Sequence, residues 1–424
     1  MNRILLVFTS WPYPTDNGKK VMLKSILEFI IYKYGENVID LILIDNEEIT
    51  YNPFKGLKIF QVFPSNVTKI KNLILLQNKS FQERILYDKK ILNLLVNLLK
   101  SNQYRFIVFD TLRTGQYLEY IPNKYRKNTK FILYMDDLFH LRYERILKSI
   151  KKYNLNIAEL KLLGNFEKFL KNLPLLKVIK NHPKIQLWLL KKEKELIKKR
   201  ELEKIKMFDK NLLISYEEAT LLKSLSKQEN IYVLPPLVDY SPVQRRKKHN
   251  ENIFIFLGNL AVPHNRISLE YFIKTNIENC IRYIPNFKLL IIGKNISDNL
   301  NKLVQTYSKN IEYKGYVDNL NNYMESSAGM IIPLLFGSGV KLKTLEALSF
   351  GVPIISTKFG LEGIKMDYKL KDEILEDNIY NFYNRMIKLT NNEFNKYISN
   401  LEKENFLKYY SKQKVEKIYE KIFS

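Results

Sequence analysis

The chain has 424 residues, 46% of them hydrophobic, which is long and apolar enough for two domains with their own cores. Its formal net charge of +25 favours polyanionic partners, namely nucleic acid, an anionic membrane or phosphorylated substrates. The single cysteine excludes an internal disulfide and a cysteine-cluster zinc site, the four histidines show no metal-ligand spacing, and no apolar run is long enough to span a bilayer.

The first half of the chain alternates strand and helix patterns. The apolar run 4–8 is too short for a signal peptide, so we predict that it is the first strand. We also predict a cytoplasmic protein. Strands are predicted at 2–8, 38–44, 57–63, 104–110 and 130–134, and helices at 21–34 and 81–99. This alternation predicts a parallel, doubly wound sheet, which binds ligands at the carboxyl ends of its strands.

Two polar segments follow strands in this half. The segment SWPYPTDNGKK places Gly18 at a helix start, where it is either an ordinary turn or part of a binding loop. The segment MDDLFHLRYER begins at a strand's carboxyl end and contains Asp136, Asp137 and His140. A bare pair of aspartates is weak evidence for a metal, so no metal site is predicted. His140 is either a half-buried helix histidine or a catalytic group.

Residues 148–206 form a basic helical stretch, with seventeen Lys and Arg against six Glu and no Asp, a net charge of +11. Apolar residues recur among the lysines: Leu187, Leu189, Leu190, Leu196, Ile197, Leu202 and Ile205. Two interpretations stay open. These helix faces are either simply solvated, or they form a basic amphipathic surface that lies on anionic lipid.

Further strands at 211–215 and 231–234 complete the first domain, and a polar run at 242–252 reads as a linker. The predicted organisation is therefore an N-terminal domain at 1–238 with a basic helical insertion at 148–206, a linker at 239–252, a second domain at 253–399 and a C-terminal helix at 400–424.

The second domain repeats one arrangement, a strand that runs into a glycine or a turn. The strand 253–257 leads to Gly258, and Asn265 follows just before a helix. The strand 287–292 ends at Gly293, and 311–317 gives the segment YKGYVDNL. A glycine at a strand's carboxyl end lets a ligand approach the backbone closely.

Residues 329–360 read as strand, glycine-rich loop, helix and strand. The loop LLFGSG opens a helix at 342–350, so backbone N–H groups and the helix N-terminus can bind an anion. Lys341 and Lys343 add full charges, and Glu346 lies one turn after Lys343. A phosphate next to a ribose diol suits that order. On spacing alone, a solvated ion pair between Lys343 and Glu346 explains the pattern equally well.

The segment GSGVKLKTLEALSFGVPIISTKFGLEGI resembles the donor-site signature of family 4 retaining glycosyltransferases of the GT-B fold, in the branch G-x-G-x-[KR]-x-K-x-x-E-A. Ser338 stands where the first acid of the commoner E-x7-E motif falls, and Glu346 is the second acid. The Gly18 loop resembles the family's acceptor-side loop. Residues 137–145 resemble D-x-x-S-x-R-Y-x-R, with His140 at the usual Ser position.

The resemblance implies two Rossmann-like domains facing a cleft, with a C-terminal helix crossing back. It also implies a retaining transferase that needs no metal or bound cofactor and uses a nucleotide-sugar as substrate. The implied catalytic residues are Asp137, His140, Lys343 and Glu346. The implied donor-binding residues are Gly18, Gly258, Asn265, Gly293, Tyr316, Val317, Gly337, Ser338, Gly339, Lys343 and Glu346.

The expected acceptor is a glycan or a polyprenyl-linked carrier, with peripheral contact at the inner face of an anionic cell membrane. Two other classes stay open. A catalytically idle partner subunit on the same fold would explain Ser338. A nucleic-acid-binding protein would explain the charge, although the sequence has no RRM, KH, helix-turn-helix or zinc-finger pattern.

Overall fold

The structure is a computed structural model, and it describes residues 3–155, 157–160, 182–237, 252–337 and 339–424. The chain forms two compact units. The first comprises Met1–Leu147, Asn156–Val238 and Glu416–Ser424, and the second comprises Lys148–Leu155 and Asp239–Val415. Most of the predicted linker and Ser338 lie outside the described residues. The units differ from the predicted domains at two places. Residues 148–155 belong to the second unit, and residues 416–424 belong to the first.

The first unit is built on a seven-stranded parallel sheet with the order β3-β2-β1-β4-β5-β6-β7. Its strands are β1 Arg3–Phe8, β2 Ile39–Leu43, β3 Lys58–Gln61, β4 Tyr104–Asp110, β5 Lys130–Asp136, β6 Lys210–Leu213 and β7 Ile231–Val233. The predicted doubly wound sheet is confirmed. The strand order reverses between β1 and β4, which is the topological switch point of the sheet.

The helices of this part of the chain are α1 Gly18–Tyr34, α2 Asn66–Leu75, α3 Phe81–Leu86, α4 Lys89–Ser101, α5 Thr111–Gly115, α6 Phe139–Tyr153, α7 Pro183–Lys204 and α8 Tyr216–Ser226. The predicted single helix 81–99 is wrong. Tyr87 and Asp88 adopt extended backbone angles there, and the Asp88 side chain caps α4 by accepting a hydrogen bond from the Lys90 N–H.

The second unit has a five-stranded parallel sheet with the order β10-β9-β8-β11-β12, so its switch point lies between β8 and β11. Its strands are β8 Ile253–Leu257, β9 Lys288–Ile292, β10 Ile311–Gly315, β11 Gly329–Ile332 and β12 Ile354–Ser356. Its helices are α9 Pro263–Tyr283, α10 Asp298–Thr306, α11 Asn321–Ser326, α12 Leu342–Phe350, α13 Lys358–Leu361, α14 Tyr368–Ile374, α15 Phe382–Thr390 and α16 Asn392–Tyr410. Short 3-10 helices in the two units lie at Glu36–Val38, Gln116–Tyr120, Asn123–Tyr125, Ile157–Leu160, Ile205–Met207 and Ile379–Asn381.

The predicted helix 342–350 is confirmed as α12, and Gly351 ends it with a left-handed backbone (φ 62°) as expected for a C-terminal glycine. The single predicted helix 400–424 is wrong. Ser411 is extended and separates α16 from a last helix, α17 Lys412–Phe423.

The end of the chain packs within the first unit. The Tyr419 hydroxyl donates to the Pro235 carbonyl over 3.1 Å, and the Tyr34 hydroxyl donates to the Phe423 carbonyl over 2.5 Å. The rings of Phe29 and Tyr419 lie 5.1 Å apart. Among the described residues, no helix has the length and apolarity that crossing a membrane requires.

Candidate active site

In the second unit, the carboxyl ends of three neighbouring strands meet without intervening side chains. Gly293 follows β9 with φ 151°, and a Cβ there would lie 2.0 Å from the Gly258 carbonyl oxygen at the end of β8. The Gly293 N–H donates to the Gly315 carbonyl at the end of β10 over 2.8 Å. Only glycine satisfies both the backbone angle and the contact at position 293. The predicted residues Gly258 and Gly293 are therefore brought together.

Lys343 spans the switch point of this sheet. Its Nζ donates to the Leu257 carbonyl at the end of β8 and to Asn265 Oδ1, both over 3.0 Å. The Asn265 amide in turn donates to the Asn259 carbonyl over 3.0 Å, which fixes the orientation of the Asn265 side chain. Two residues that are 78 positions apart in the sequence thus form one contact beside Gly258.

The Lys343 ammonium is half-buried, and it lies 4.7 Å above the ring of Phe256. Burial, together with the charge of Lys341, lowers the pKa of Lys343 to about 7. Its lowered pKa means that the charged form of Lys343 is disfavoured in these surroundings. A bound anion would stabilise its charged form.

The loop before α12 presents backbone toward the start of that helix. Gly337 and Gly339 both have positive φ, 142° and 74°. Lys341 is buried, occupies the N-cap position and donates from Nζ to the Gly339 carbonyl over 2.6 Å. Within the described residues, no side chain caps the first turn of α12. N–H groups and partial positive charge at a helix start of this kind can bind an anion, and a donor site there stays a prediction. Ser338 lies outside the described residues.

Glu346 is half-buried one turn after Lys343, and burial raises its pKa to about 7. Within the described part of the chain, Lys343 and Glu346 form no ion pair with each other, because the Lys343 ammonium is engaged by Leu257 and Asn265. The interpretation of these two residues as a solvated surface pair is therefore wrong.

Tyr316 and Val317 follow β10 at the same edge. Tyr316 is 64% exposed, and the Lys294 ammonium lies 4.2 Å above its ring, while Val317 is half-buried. An exposed ring beside a cation offers a surface on which a nucleobase can stack.

The first unit has its own charged cluster at its switch point, next to Gly18, and the sequence did not indicate it. Lys19 Nζ lies 2.9 Å from Asp110 Oδ2 at the end of β4, and it donates to Thr9 Oγ1 at the end of β1 over 2.5 Å. Thr9 also donates to Asp110 Oδ2 from its backbone N–H and its hydroxyl, over 2.9 and 2.5 Å. Burial lowers the pKa of Lys19.

Backbone strain marks the same edge of the first sheet. Thr111, directly after β4, and Asp136, at the end of β5, have φ of 67° and 68°, which is unfavourable for residues with a Cβ. Among the described residues, Asp110 Oδ1 and Thr111 Oγ1 are buried without a hydrogen-bond partner. Strain and unsatisfied polar atoms of this kind concentrate at functional sites.

Asp137 is buried and forms an ion pair with Arg142, whose guanidinium stacks 4.8 Å from the Phe139 ring. Burial and the charge of Asp137 raise the pKa of the adjacent Asp136 to about 6, and Asp136 accepts a hydrogen bond from the Tyr134 hydroxyl over 2.9 Å. Across the described residues, no three His, Cys, Asp or Glu side chains come together as a metal site.

His140 is buried, not half-buried, and its Nδ1 is hydrogen-bonded to Glu201 Oε2 on α7. Glu201 Oε1 also accepts from the Phe139 N–H over 2.8 Å, and burial raises the pKa of Glu201. Glu201 therefore fixes both the start of α6 and the orientation of the imidazole ring. A catalytic role of His140 stays a prediction.

The seven apolar residues named above are not exposed in the described part of the basic stretch, although Ile185 and Trp188 on the same helix are exposed. Four of the seven are half-buried, namely Leu187, Leu189, Leu196 and Leu202. The other three, Leu190, Ile197 and Ile205, are buried. The inner face of α7 is charged. Arg200 forms a 2.6 Å ion pair with Glu83, and Glu193 accepts from the Phe81 N–H over 2.7 Å. This helix therefore stabilises the first unit. Residues 161–181 lie outside the described residues.

Comparison with known proteins agrees with this geometry. Residues 251–392 match the family described as "Glycosyl transferases group 1". A Klebsiella pneumoniae protein described as "Uncharacterized 44.6 kDa protein in cps region" is 32% identical over 163 residues, and the match spans 37% of this chain and 41% of that protein. The chain therefore matches less than half the length of this relative.

Two solved structures are similar over the whole chain. Sucrose-phosphate synthase from Thermosynechococcus elongatus has a TM-score of 0.64 at 15% identity, with 100% of this chain and 99% of that chain covered. A mutant of S. aureus TarM, solved with fondaparinux, alpha-GlcNAc-glycerol and UDP, has a TM-score of 0.58 at 12% identity, with both chains covered completely. The GT-B fold is confirmed, and the part of the second unit within 251–392 is similar to group 1 glycosyltransferases.

Proposed function

We propose that this protein transfers a sugar from a nucleotide-sugar donor to a hydroxyl group of a glycan or lipid-carrier-linked acceptor, with retention of anomeric configuration and without a metal. The observation that carries the proposal is Lys343, whose ammonium lies at a sheet switch point on the Leu257 carbonyl and Asn265, beside the closely packed backbone of Gly258 and Gly293. Such a site suits a diphosphate.

The donor diphosphate would lie on the start of α12. The N–H groups of the first turn and of the loop at Gly337 and Gly339 would donate to its oxygens. Lys341 and Lys343 would balance its charge, and the pKa of Lys343 would rise on binding because an anion favours the ammonium form. The UDP in the TarM complex supports a nucleoside diphosphate as the leaving group.

Glu346 would accept hydrogen bonds from the ribose hydroxyl groups. A carboxylate accepts from two neighbouring hydroxyls at once, and such charge-assisted bonds are stronger than neutral ones. Its position one turn after Lys343 places it at the spacing that separates a ribose from its phosphates. The nucleobase would follow the backbone at Tyr316 and Val317.

In the transfer step, the bond between the anomeric carbon and the leaving phosphate oxygen breaks. A bond from the acceptor oxygen forms on the same face, and the acceptor proton passes to the departing diphosphate. The protein would supply positioning and stabilisation of the charge on the diphosphate. Asp137 and His140 would act on the acceptor side, where Asp137 is oriented by Arg142 and His140 by Glu201. Gly18 would lie close to the donor phosphate or the transferred sugar.

The acceptor would belong to a surface polysaccharide or glycoconjugate pathway, because the Klebsiella relative is described by its place in a cps region. We further propose a cytoplasmic protein at the inner face of the membrane. A catalytically idle partner subunit is the second candidate, favoured by Ser338 at the position of the first acid. It would bind donor without transferring sugar.

Thermal-shift screening of nucleoside diphosphates and nucleotide-sugars, with a chelator present, tests donor binding, because a ligand that binds only the folded state raises Tm. We expect a shift with at least one nucleoside diphosphate and hydrolysis or transfer of the matching sugar. A shift without any turnover on candidate acceptors would favour the idle subunit. A salt-sensitive shift with random duplex DNA and none with nucleotides would favour the nucleic-acid-binding class.

A further inference from the structure

Helix α2, Asn66–Leu75, has its polar side turned toward the protein and its apolar side turned outward. Its two buried residues are Lys69 and Asn72. Its exposed large apolar residues are Val67, Ile70, Ile74 and Leu75, with between 47% and 77% of each side chain accessible. A surface helix normally buries its apolar stripe, so this inversion indicates a partner outside the chain.

Specific polar contacts hold the inner side in place. The Asn72 amide donates to the carbonyls of Arg84 and Tyr87 over 3.0 and 2.7 Å. The Lys69 ammonium lies 4.1 Å above the ring of Phe63. Ser65 caps the helix by accepting from the Thr68 N–H. Because these contacts fix the rotation of α2, the outward direction of its apolar residues is a built feature of the fold.

The exposed stripe follows one helix face. Its members Val67, Ile70, Lys71, Ile74 and Leu75 lie at positions i, i+3, i+4, i+7 and i+8. Lys71 is the charged member of this set and is exposed. A lysine among large aliphatic residues is the composition of a helix that lies in a membrane interface.

The surrounding sequence is complementary in charge to anionic lipid. Residues 49–82 contain five lysines and no Asp or Glu, in a chain of net charge +25. Of these lysines, Lys55, Lys58 and Lys71 are exposed. Each lysine close to an anionic membrane surface strengthens binding by roughly fivefold.

We propose that the outer face of α2, formed by Val67, Ile70, Lys71, Ile74 and Leu75, lies on an anionic lipid surface. The proposal moves the expected membrane contact away from residues 148–206. It does not depend on sugar transfer, so it can fail while the proposed function stands, and the reverse also holds.

Flotation of the full-length protein with vesicles tests the proposal. We expect recovery with phosphatidylcholine vesicles that contain phosphatidylglycerol, weaker recovery as salt rises, and little recovery with phosphatidylcholine alone. The double variant Ile70→Gln with Ile74→Gln should lose affinity for anionic vesicles by about tenfold or more, because two large apolar side chains no longer enter the interface. Lys71→Glu should weaken binding to anionic vesicles only.

The competing membrane surface is tested on α7, where Ile185 and Trp188 of the basic stretch 148–206 are exposed among lysines. The double variant Ile185→Gln with Trp188→Gln should float like the wild type. Because all four substituted side chains are exposed, both double variants should keep the wild-type Tm. Hydrogen exchange on the wild type supplies a second readout, in which anionic vesicles should slow the exchange of 66–75.

Several outcomes would overturn the proposal: no binding of the wild type to anionic vesicles, equal binding to both vesicle types, or loss of binding in the α7 double variant alone. A dimer in solution that the α2 double variant converts to a monomer would also overturn it, because a second copy would then cover this face. Calorimetry with a nucleoside diphosphate should give the same affinity for the α2 variant and the wild type, which separates this test from the proposed function.

Discussion

Replacing Lys343 by methionine asks whether its ammonium group is held for a ligand or for the fold. Burial lowers the pKa of Lys343 to about 7, against about 10.4 for an unperturbed lysine. At about 1.4 kcal/mol per pKa unit, this difference in pKa destabilises the folded state by about 4 kcal/mol at pH 7. The methionine variant removes this destabilisation. It also loses the hydrogen bonds to Leu257 and Asn265, which offsets about 2 kcal/mol of the gain in stability.

We therefore expect Lys343→Met to raise the free energy of unfolding by about 1–3 kcal/mol near pH 7 and to raise Tm by a few degrees. The sign follows from linkage. The folded-state pKa lies below the unfolded one, so the destabilisation is complete below about pH 7 and disappears as the pH rises toward about 10. The gain in the variant should shrink over the same interval. Donor turnover should fall in the same variant by about 10²–10³ in kcat.

Scanning calorimetry of both proteins between about pH 6.5 and pH 9 measures the stability effect. Lys358→Met is the matched control, because Lys358 is exposed and should change stability by less than about 0.5 kcal/mol. A lower Tm for Lys343→Met at every pH would mean that the ammonium stabilises the fold, which would refute the assignment of this lysine to a ligand.

Three further predictions address the other parts of the two sites. Glu346→Gln should weaken binding of a nucleoside diphosphate by about tenfold or more with little change in kcat. Calorimetry should show that the difference in affinity between the wild type and this variant narrows as the pH falls below 7, where Glu346 becomes protonated. Gly293→Ala should lower the free energy of unfolding in denaturant by at least about 4 kcal/mol, because its Cβ meets a carbonyl oxygen. Gly35→Ala, at a position with positive φ and open space, should lower it by about 1–3 kcal/mol, and equal losses would contradict the close approach at Gly293. Lys19→Met and Asp110→Asn should each lower the free energy of unfolding by about 3–5 kcal/mol, and the double variant should lower it by clearly less than the sum of the two. Strict additivity would mean that the two charges do not interact.

The sequence was sufficient wherever a feature is local. The order strand, glycine loop and helix at 329–350 follows from spacing, glycine placement and a C-terminal glycine at Gly351, all within one short segment. The positions of Gly258 and Gly293 follow in the same way, because each glycine directly ends a predicted strand.

The partners of the charged residues could not be predicted in this way. Lys343 and Glu346 look like a pair on one helix face, but the lysine instead contacts Leu257, 86 positions earlier in the chain. Lys19 and Asp110 meet only because β1 and β4 become neighbours when the strand order reverses. Contacts of this range depend on sheet topology, which periodicity alone does not encode.

Amphipathic patterns in the sequence did not predict which apolar side chains are exposed, and membrane contact of 148–206 stays a prediction. Composition made residues 148–206 the candidate membrane surface, yet the leucines of α7 are turned inward or half-buried. Helix α2 escaped prediction, and its outward apolar face cannot be inferred from a pattern that assumes apolar residues point inward. Polar anchors such as Asn72, which bind backbone carbonyls elsewhere in the chain, decide this orientation.

The central claim is that the second unit binds the diphosphate of a sugar donor between the end of β8 and the start of α12. Calorimetric titration of the wild type and of Lys343→Met with UDP and the other common nucleoside diphosphates, in the presence of a chelator, tests it most directly. We expect metal-independent binding of at least one of them to the wild type and binding weakened at least about tenfold in the variant. Near pH 7 the wild type should take up more protons on binding than the variant does, because Lys343 becomes charged. Equal affinities for the two proteins, or no binding of any nucleoside diphosphate to the wild type, would contradict it.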